Sequence, residues 1–459
     1  MFRRLFNRTR RANDSPTNVV LILLDALRWD GLSCYGNKRK TSPNIDKLAK
    51  RSIVFTQAIS AAGATPGSIG ALMTSKYPRF VKETFAGPRE LADFGFSRFT
   101  EEGESIASLP RSMNTLAKSL SRTGYATAGF TANPLTTSDF GFTNGFDSYE
   151  EYCDRRDWDI RPNAKTLNEK VNTWLLRNSR ERFFLYLHYM DIHHPYTPCA
   201  PYNRMFKAKY LEDKTDVDLS VDWYHSSDID YLRECSGHMR AVYDASIRYV
   251  DDQLATLFKT FDKLDLLNNS VIIVLSDHGD EFLEHGGTLH HNPKLHDELI
   301  RVPFLMHLPC KSRAKRIGRL VRTVDIMPTI LELAGVEPPT DIEGISLLPL
   351  VLGSEGRLPE LEAYADAPFR HAIRTERWKL IQDEKANTYE LYDLVSDPSE
   401  SKNLFGTRAE AAKTMLSKLA KIEERIAAEG DRAARADHEL PGKSIDEEIA
   451  RRLRALGYL

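Results

Sequence analysis

Several scarcities narrow the class of this chain before any motif is read. There are 5 cysteines in 459 residues, namely Cys34, Cys153, Cys199, Cys235 and Cys310, an odd number with no CxxC pair. That usage excludes a disulfide framework and a structural zinc site. Net charge is nearly absent, −2 at pH 7, which excludes a general nucleic-acid binder with its strongly basic footprint. No uninterrupted apolar run reaches the length of about 18 residues that a membrane helix needs. The N-terminal MFRRLFNRTRRANDSPTN is charged but lacks the apolar core of a secretory signal, so the expected location is cytoplasmic. Residues 1–17 read as a solvated, flexible basic arm. Internal repeats and low-complexity linkers are also missing. What remains is an ordinary globular composition, 41% hydrophobic and 28% charged, in a chain long enough for one large domain and a smaller one.

Strand-like and helix-like stretches alternate as in an α/β sandwich. NVVLILLD, ATAGFTA, RFFLYLHYMD, VIIVLSD and LIRVPFLMHLP read as strands. SPNIDKLAKRS reads as a helix with Ser42 as its cap and Pro43 behind it, and RSMNTLAKSLSRTGY as one closing at Gly124. NAKTLNEKVNTWLLRN, the stretch from about Ser236 to Leu267 and TVDIMPTILELAG complete the helices, the last with Gly335 just past its end. After about Pro338 the texture changes. EAYADAPFRHAIRTERWKLIQDEKANTYELYDL alternates apolar and polar residues between turn signals, which predicts an antiparallel hairpin sheet. From Thr407 the tail is charged and helical, ending in IDEEIARRLRALGYL. The division is therefore a domain over 18–338 and a small C-terminal sheet-and-helix subdomain over 339–459.

Two strand-like runs stop on an acidic residue: VVLILLD at Asp25 and VIIVLSD at Asp277. A carboxylate at the end of a buried strand needs a compensating partner, and in open α/β sheets the carboxyl ends of strands are where sites are built. His278 and Gly279 follow Asp277 directly, adding a nitrogen donor and a tight turn. Asp25, Asp277 and His278 together make an O, O, N donor set for a divalent cation with positions left open. The bland alternative is a salt-bridged aspartate beside a satisfied histidine. In AAGATPGSIGALMTS, Thr65 precedes Pro66 and small, helix-compatible residues. This reads as a helix with Thr65 at the N-cap and Pro66 at its first position. Such a helix end is an anion site, and a hydroxyl there that also touches a cation is a candidate nucleophile.

On these pieces the chain resembles the sulfatase branch of the alkaline phosphatase superfamily. The resemblance runs from Asn18 to Leu404 through VLILLDALRWDGLSCYG, SPNIDKLAKRSIVFTQA, GYATAGFTANPLTTSDFGFTNGFDSY, FLYLHYMDIHHPYTP, SDHGDEFLEHGG, HDELIRVPFL, TVDIMPTILELAGVEPP, IRTERWKLI and ELYDLVSDPSESKNL. It implies an α/β/α sandwich around a large mixed sheet, with a small C-terminal antiparallel sheet plus helix. It also implies a metal held by Asp25, Asp277 and His278, with Thr65 at the nucleophile position and joining the metal. Aligning instead on Pro66 would put Ala64 there. His193 matches the histidine that contacts the ester and its leaving group. His291 falls where the family has a Lys or His with a similar task, His290 being the other register.

Departures from the family pattern are informative. No cysteine lies near Thr65, so the formylglycine of true sulfatases cannot be made; the arginine of that block is Ile69, and the second metal aspartate is Ala26. A Lys-x-His segment is replaced by Thr131, Ala132 and Asn133, of which Asn133 can still donate to a non-bridging oxygen. The expected activity is metal-dependent hydrolysis of a sulfate or phosphate ester of a small molecule, glycan or lipid. Calcium suits the carboxylates, whereas His278 draws the site toward manganese or zinc. Other readings are a phosphodiester or phosphonate hydrolase, a transferase of the same group, and a metal-binding scaffold without catalysis.

Overall fold

The computed structural model describes residues 18–78, 97–100, 103–106, 109, 111–152, 163–206, 229–286, 294–309, 314–354, 356, 358–367 and 369–436. The basic arm, His290, His291 and the tail beyond 436 lie outside the described residues.

Ten strands precede the C-terminal segment: β1 (Asn18–Leu24), β2 (Ile53–Ile59), β3 (Ser97–Thr100), β4 (Gly103–Ile106), β5 (Ala126–Thr131), β6 (Ser148–Glu151), β7 (Phe183–Tyr189), β8 (Ser270–Leu275), β9 (Arg301–His307) and β10 (Lys315–Arg322). Eight of them form one sheet in the order β10-β2-β9-β8-β1-β7-β5-β6, and β3 and β4 pair as a separate hairpin. Strand β9 runs antiparallel to both β2 and β8, while β5, β6, β7, β1 and β8 pair in parallel. The expected large mixed sheet is therefore present. β2, β3, β4, β6 and β10 were not expected as strands, because β3, β4 and β6 are short and β2 and β10 mix apolar with polar residues.

β1 shows why the sheet is central. Its seven residues are all buried, and successive side chains enter opposite layers. Leu21 and Leu23 face a core shared with Ile69, Leu72, Ile326 and Ile330, whereas Val20, Ile22 and Leu24 face a core shared with Leu167, Val171, Met239 and Val250. The first layer carries helices α2 (Thr65–Thr74), α3 (Leu116–Ser121) and α7 (Ile326–Ala334); the second carries α1 (Pro43–Ala49), α4 (Ala164–Asn178) and α5 (Ile229–Lys263). A short α6 (Asp297–Ile300) leads into β9, and α8 (Leu348–Val351) follows α7.

The texture change after Pro338 corresponds to a four-stranded antiparallel meander: β11 (Ala363–Ala367), β12 (Arg370–Arg374), β13 (Trp378–Asp383) and β14 (Thr388–Asp393). Helix α9 (Ala409–Ala436) packs on it, and Met415, Leu419, Ile373 and Leu380 join the core of the first layer.

Candidate active site

Parallel pairing places the ends of four strands along one edge of the sheet. Register aligns Leu23 with His188 and with Leu275, and Thr131 with His188. The residues just past these positions, Asp25, Asn133 and Asp277, therefore converge with His188. The Asp25 N–H donates to the Tyr189 carbonyl at 3.0 Å, and the Ala132 N–H to the His188 carbonyl at 3.0 Å, continuing the ladder into the site.

Asp25 is fully buried and its two oxygens face different groups. Oδ2 lies 2.5 Å from Asn133 Nδ2 and 2.9 Å from His188 Nε2. Oδ1 has no hydrogen-bond partner among the described residues, and neither has Oδ2 of Asp277. These two oxygens lie 3.7 Å and 3.4 Å from Nε2 of His278. His278 Nδ1 is 2.7 Å from the Gly279 carbonyl oxygen; in the neutral ring Nδ1 holds the hydrogen and Nε2 presents its lone pair. Thr65 Oγ1 donates toward that nitrogen at 3.2 Å and lies 3.4 Å from Asn133 Nδ2. Two buried anionic oxygens without donors, an imidazole lone pair and a hydroxyl meeting in one dry place suit a divalent cation.

Charge in the cluster points the same way. Burial opposes ionisation of Asp25, but the hydrogen bond from His188 and the imidazoles of His193, His188 and His278 hold its carboxyl well below the usual range. Asp277 is pushed up, by burial and by the charge of Asp25 beside it. For His278 burial acts downward, yet Asp277 and Asp25 raise it. A cation removes the repulsion that keeps both carboxylates from ionising together.

The backbone supports this arrangement. Ala26 adopts a left-handed conformation, φ 56°, which an alanine enters at a cost of about 1–2 kcal/mol. In return its N–H reaches Asp277 Oδ1 at 3.2 Å. Tyr243 on α5 fixes the turn: its hydroxyl donates to the Ala26 carbonyl and accepts from the Arg28 N–H, each at 2.8 Å. Leu27 N–H donates to Ser276 Oγ at 2.9 Å, tying the two strand ends together. At Gly279 a Cβ would stand 1.9 Å from the Glu298 carbonyl oxygen, so glycine is required by close approach.

Helix α2 starts one residue earlier than expected. Ala64 is the N-cap, Thr65 the first helical residue, and no side chain caps the end. Pro66 fits the second position because the early helical N–H groups have no intrahelical acceptor anyway. The Thr65 hydroxyl is consequently not used in capping and faces His278. Ser42 does occupy the N-cap of α1, although its hydroxyl pairs with Asp46 Oδ1 at 2.9 Å.

His193 is buried, with Nδ1 2.6 Å from the His194 carbonyl oxygen and its ring stacked on His194, and its charge bears on Asp25. Asn133 turns Nδ2 toward Asp25 and Thr65, and its Oδ1 accepts the Leu135 N–H at 2.7 Å. Asp25, Thr65, Asn133, Asp277 and His278 are thus brought together, and His291 lies outside the described residues. His188 was missed by sequence reasoning. The available signal was an imidazole in the otherwise apolar and aromatic FFLYLHY. Asp25, His188 and Asp277 each offer a ligand atom within 4.8 Å of the others.

Comparison with known proteins places the chain in a family and a fold. The family model described as Sulfatase matches residues 17–336, and that described as N-sulphoglucosamine sulphohydrolase, C-terminal, matches 284–426. The chain is 22% identical to an N-acetylglucosamine-6-O-sulfatase of Bacteroides thetaiotaomicron, covering 89% of this chain and 86% of the relative. It is 24% identical to an ulvan-active sulfatase of Formosa agariphila, covering 94% and 86%. In fold it is similar to the phosphonate monoester hydrolase of Agrobacterium radiobacter, with a TM-score of 0.69, 20% identity and coverage of 90% and 96%. A structure described in complex with its substrate D-glucosamine-2-N,6-O-disulfate gives a TM-score of 0.68, 20% identity and coverage of 90% and 98%. With its alkaline-phosphatase-like sheet and the family model matched across it, the chain belongs to the sulfatase family of sulfuric ester hydrolases.

Proposed function

We propose that the protein is a metal-dependent esterase that cleaves a sulfate or phosphate ester with Thr65 as nucleophile. The observation that carries this reading is the Thr65 hydroxyl at the start of α2, 3.2 Å from His278 Nε2 and beside two unpartnered carboxylate oxygens. Asp25, Asp277, His278 and Thr65 would hold the cation. When bound, it supplies Lewis acidity, lowering the pKa of the threonine hydroxyl and drawing charge from the ester oxygens.

The residues divide the work. Thr65 gives up its hydroxyl proton to solvent and its Oγ forms a bond to sulfur or phosphorus as the bond to the ester oxygen breaks, while the leaving oxygen takes a proton from an imidazole, His193 or His291. The N–H groups at the start of α2 face the anionic oxygens. Asn133, 3.4 Å from Thr65 Oγ1, orients the hydroxyl and keeps Asp25 in place. Water then attacks at sulfur or phosphorus, giving a proton to the same imidazole, and the bond to Thr65 Oγ breaks, releasing the sulfate, phosphate or phosphonate and restoring the hydroxyl as Oγ takes up a proton.

By the resemblance, Ile69, Thr131 and Asn133 stand where the family carries Arg, Lys and His, so fewer positive charges meet the substrate. Phosphate diesters and phosphonate monoesters carry one negative charge in their ester group, as sulfate monoesters do. The fold likeness to a phosphonate monoester hydrolase at TM-score 0.69 favours including that class. The related proteins described as acting on sulfated sugars support a glycan leaving group. The test is a panel of aryl sulfate, phosphate monoester, phosphate diester and phosphonate substrates with calcium, manganese or zinc added. Turnover of at least one, lost by about 10³-fold or more in Thr65→Ala without loss of bound metal, is expected. Absence of turnover on every substrate would leave a metal-binding scaffold.

A further inference from the structure

A second set of ligand-type side chains meets where the loop after β8 lies against the four-stranded sheet. His285, Glu298 and Glu400 come from three separate segments, and each offers one ligand atom within 4.8 Å of the others. His285 Nε2 is 3.1 Å from Glu298 Oε2. All three wall a cavity of about 550 Å³. His285 also stacks on His296 with ring centroids 3.6 Å apart and planes within 8°, which fixes the plane of the donor ring.

His296 supplies an independent sign of a ligand. It lines the same cavity, is 4% exposed, and turns Nε2 toward Glu390 Oε2 at 3.2 Å. Its Nδ1 has no hydrogen-bond partner among the described residues. A buried ring nitrogen left unpaired is costly unless something else meets it.

Lys379 Nζ stands 2.8 Å from Glu400 Oε1, and Lys294 Nζ is 3.0 Å from Glu281 Oε1. The Asp297 N–H donates to Glu400 Oε2 at 2.6 Å. An ionised carboxylate has about four acceptor positions, so Glu400 can serve Lys379, Asp297 and a cation together. Four carboxylates, Glu284, Glu298, Glu390 and Glu400, line the cavity with Lys294 and Arg370, and Lys379 and Arg28 reach Glu400 and Glu284 from beyond its lining.

We propose that His285, Glu298 and Glu400 bind a second divalent cation, of the zinc class, separate from the one at Asp25 and Asp277. One imidazole with two carboxylates and open positions is a donor set suited to zinc or manganese. The ion would join the loop that carries Asp277 and His278 to the turn after β14 that carries Glu400. The inference is independent of the role of Thr65.

The test uses the full chain, stripped with chelator, reloaded with Zn²⁺ and freed of excess by gel filtration, with metal counted by mass spectrometry. Two zinc equivalents per chain are expected. One should be lost in His285→Gln and in Glu298→Gln, and the other in Asp277→Asn. Circular dichroism checks folding, and if His285→Gln fails to fold the near-isosteric Glu298→Gln decides. Zinc content in a folded Glu298→Gln equal to that of the wild type would overturn the proposal, whatever the substrate assays show.

Discussion

The two oxygens of Asp25 have different surroundings. Oδ2 is held by Asn133 and His188, and Oδ1 has no hydrogen-bond partner among the described residues, which suits the proposed cation. His188 is itself fixed, with Nδ1 3.0 Å from the Tyr186 hydroxyl and 3.4 Å from Thr136 Oγ1. In the proposed site His188 would be a positioning residue that acts through Asp25, since a hydrogen-bond partner behind a ligand carboxylate sets its rotamer. His188→Ala should therefore weaken metal binding by about 10–100-fold. Titration of the apoenzyme with a chromophoric chelator as competitor measures this directly. Unchanged affinity in a folded variant would show that Asn133 alone holds the carboxylate.

At the scale of elements, helices and strand ends are locked by buried polar contacts between distant segments. Asp251 on α5 accepts from the backbone N–H groups of Asn44 and Ile45 at the start of α1, and from the Asn44 side chain. Burial nevertheless outweighs these bonds and pushes its carboxyl up from 3.8 to about 6. A carboxyl whose folded pKa is raised binds its proton more readily in the folded state. Stability is therefore gained as pH falls through about 6 and levels off below the unfolded value near 3.8. The shift corresponds to about 3 kcal/mol at most. Guanidinium unfolding of wild type and Asp251→Asn between pH 4 and 7 should show this slope in the wild type and its absence in the variant. Parallel curves would mean that the carboxyl is not titrating there.

For the molecule as a whole, the C-terminal meander is joined to the large sheet by charge as well as by shared core. Asp297 at the start of α6 receives Arg374 Nε and Nη2, each at 3.2 Å, and Lys379 Nζ at 3.0 Å. Arg374 Nη2 also reaches Gln57 Oε1 on β2 at 3.2 Å. Burial disfavours the Asp297 charge, but Arg374, Lys379 and Arg301 hold its carboxyl well below the usual range. Removing one member of a buried, paired set leaves charge uncompensated and typically costs about 3–5 kcal/mol. Arg374→Met is expected to lower unfolding stability by that order, read as a fall in the guanidinium midpoint at unchanged slope. A change under 1 kcal/mol would place the stabilisation in the apolar core alone. Among the described residues no helix is long and apolar enough to cross a membrane.

The order of elements, the alternation that marks α/β layers, the meander after Pro338 and the strand-end carboxylates Asp25 and Asp277 were legible in the sequence. Each is a local property: β-branched runs, turn residues and periodicity act over a few neighbours. Thr65 was legible as a helix start to within one residue, because Pro66 tolerates either of the first two helical positions. β6 and β10 were not legible, since a strand at the sheet edge is set by pairing and not by its own pattern. His188 was hidden for a related reason. Only strand register brings it beside Asp25, 163 positions away in the chain. The same holds for which oxygen of each aspartate is left without a partner, and for the meeting of His285, Glu298 and Glu400. Residue types fix what chemistry is available; the parallel packing of β5, β7, β1 and β8 decides which of those groups share one dry space, because long-range register cannot be read from any short window.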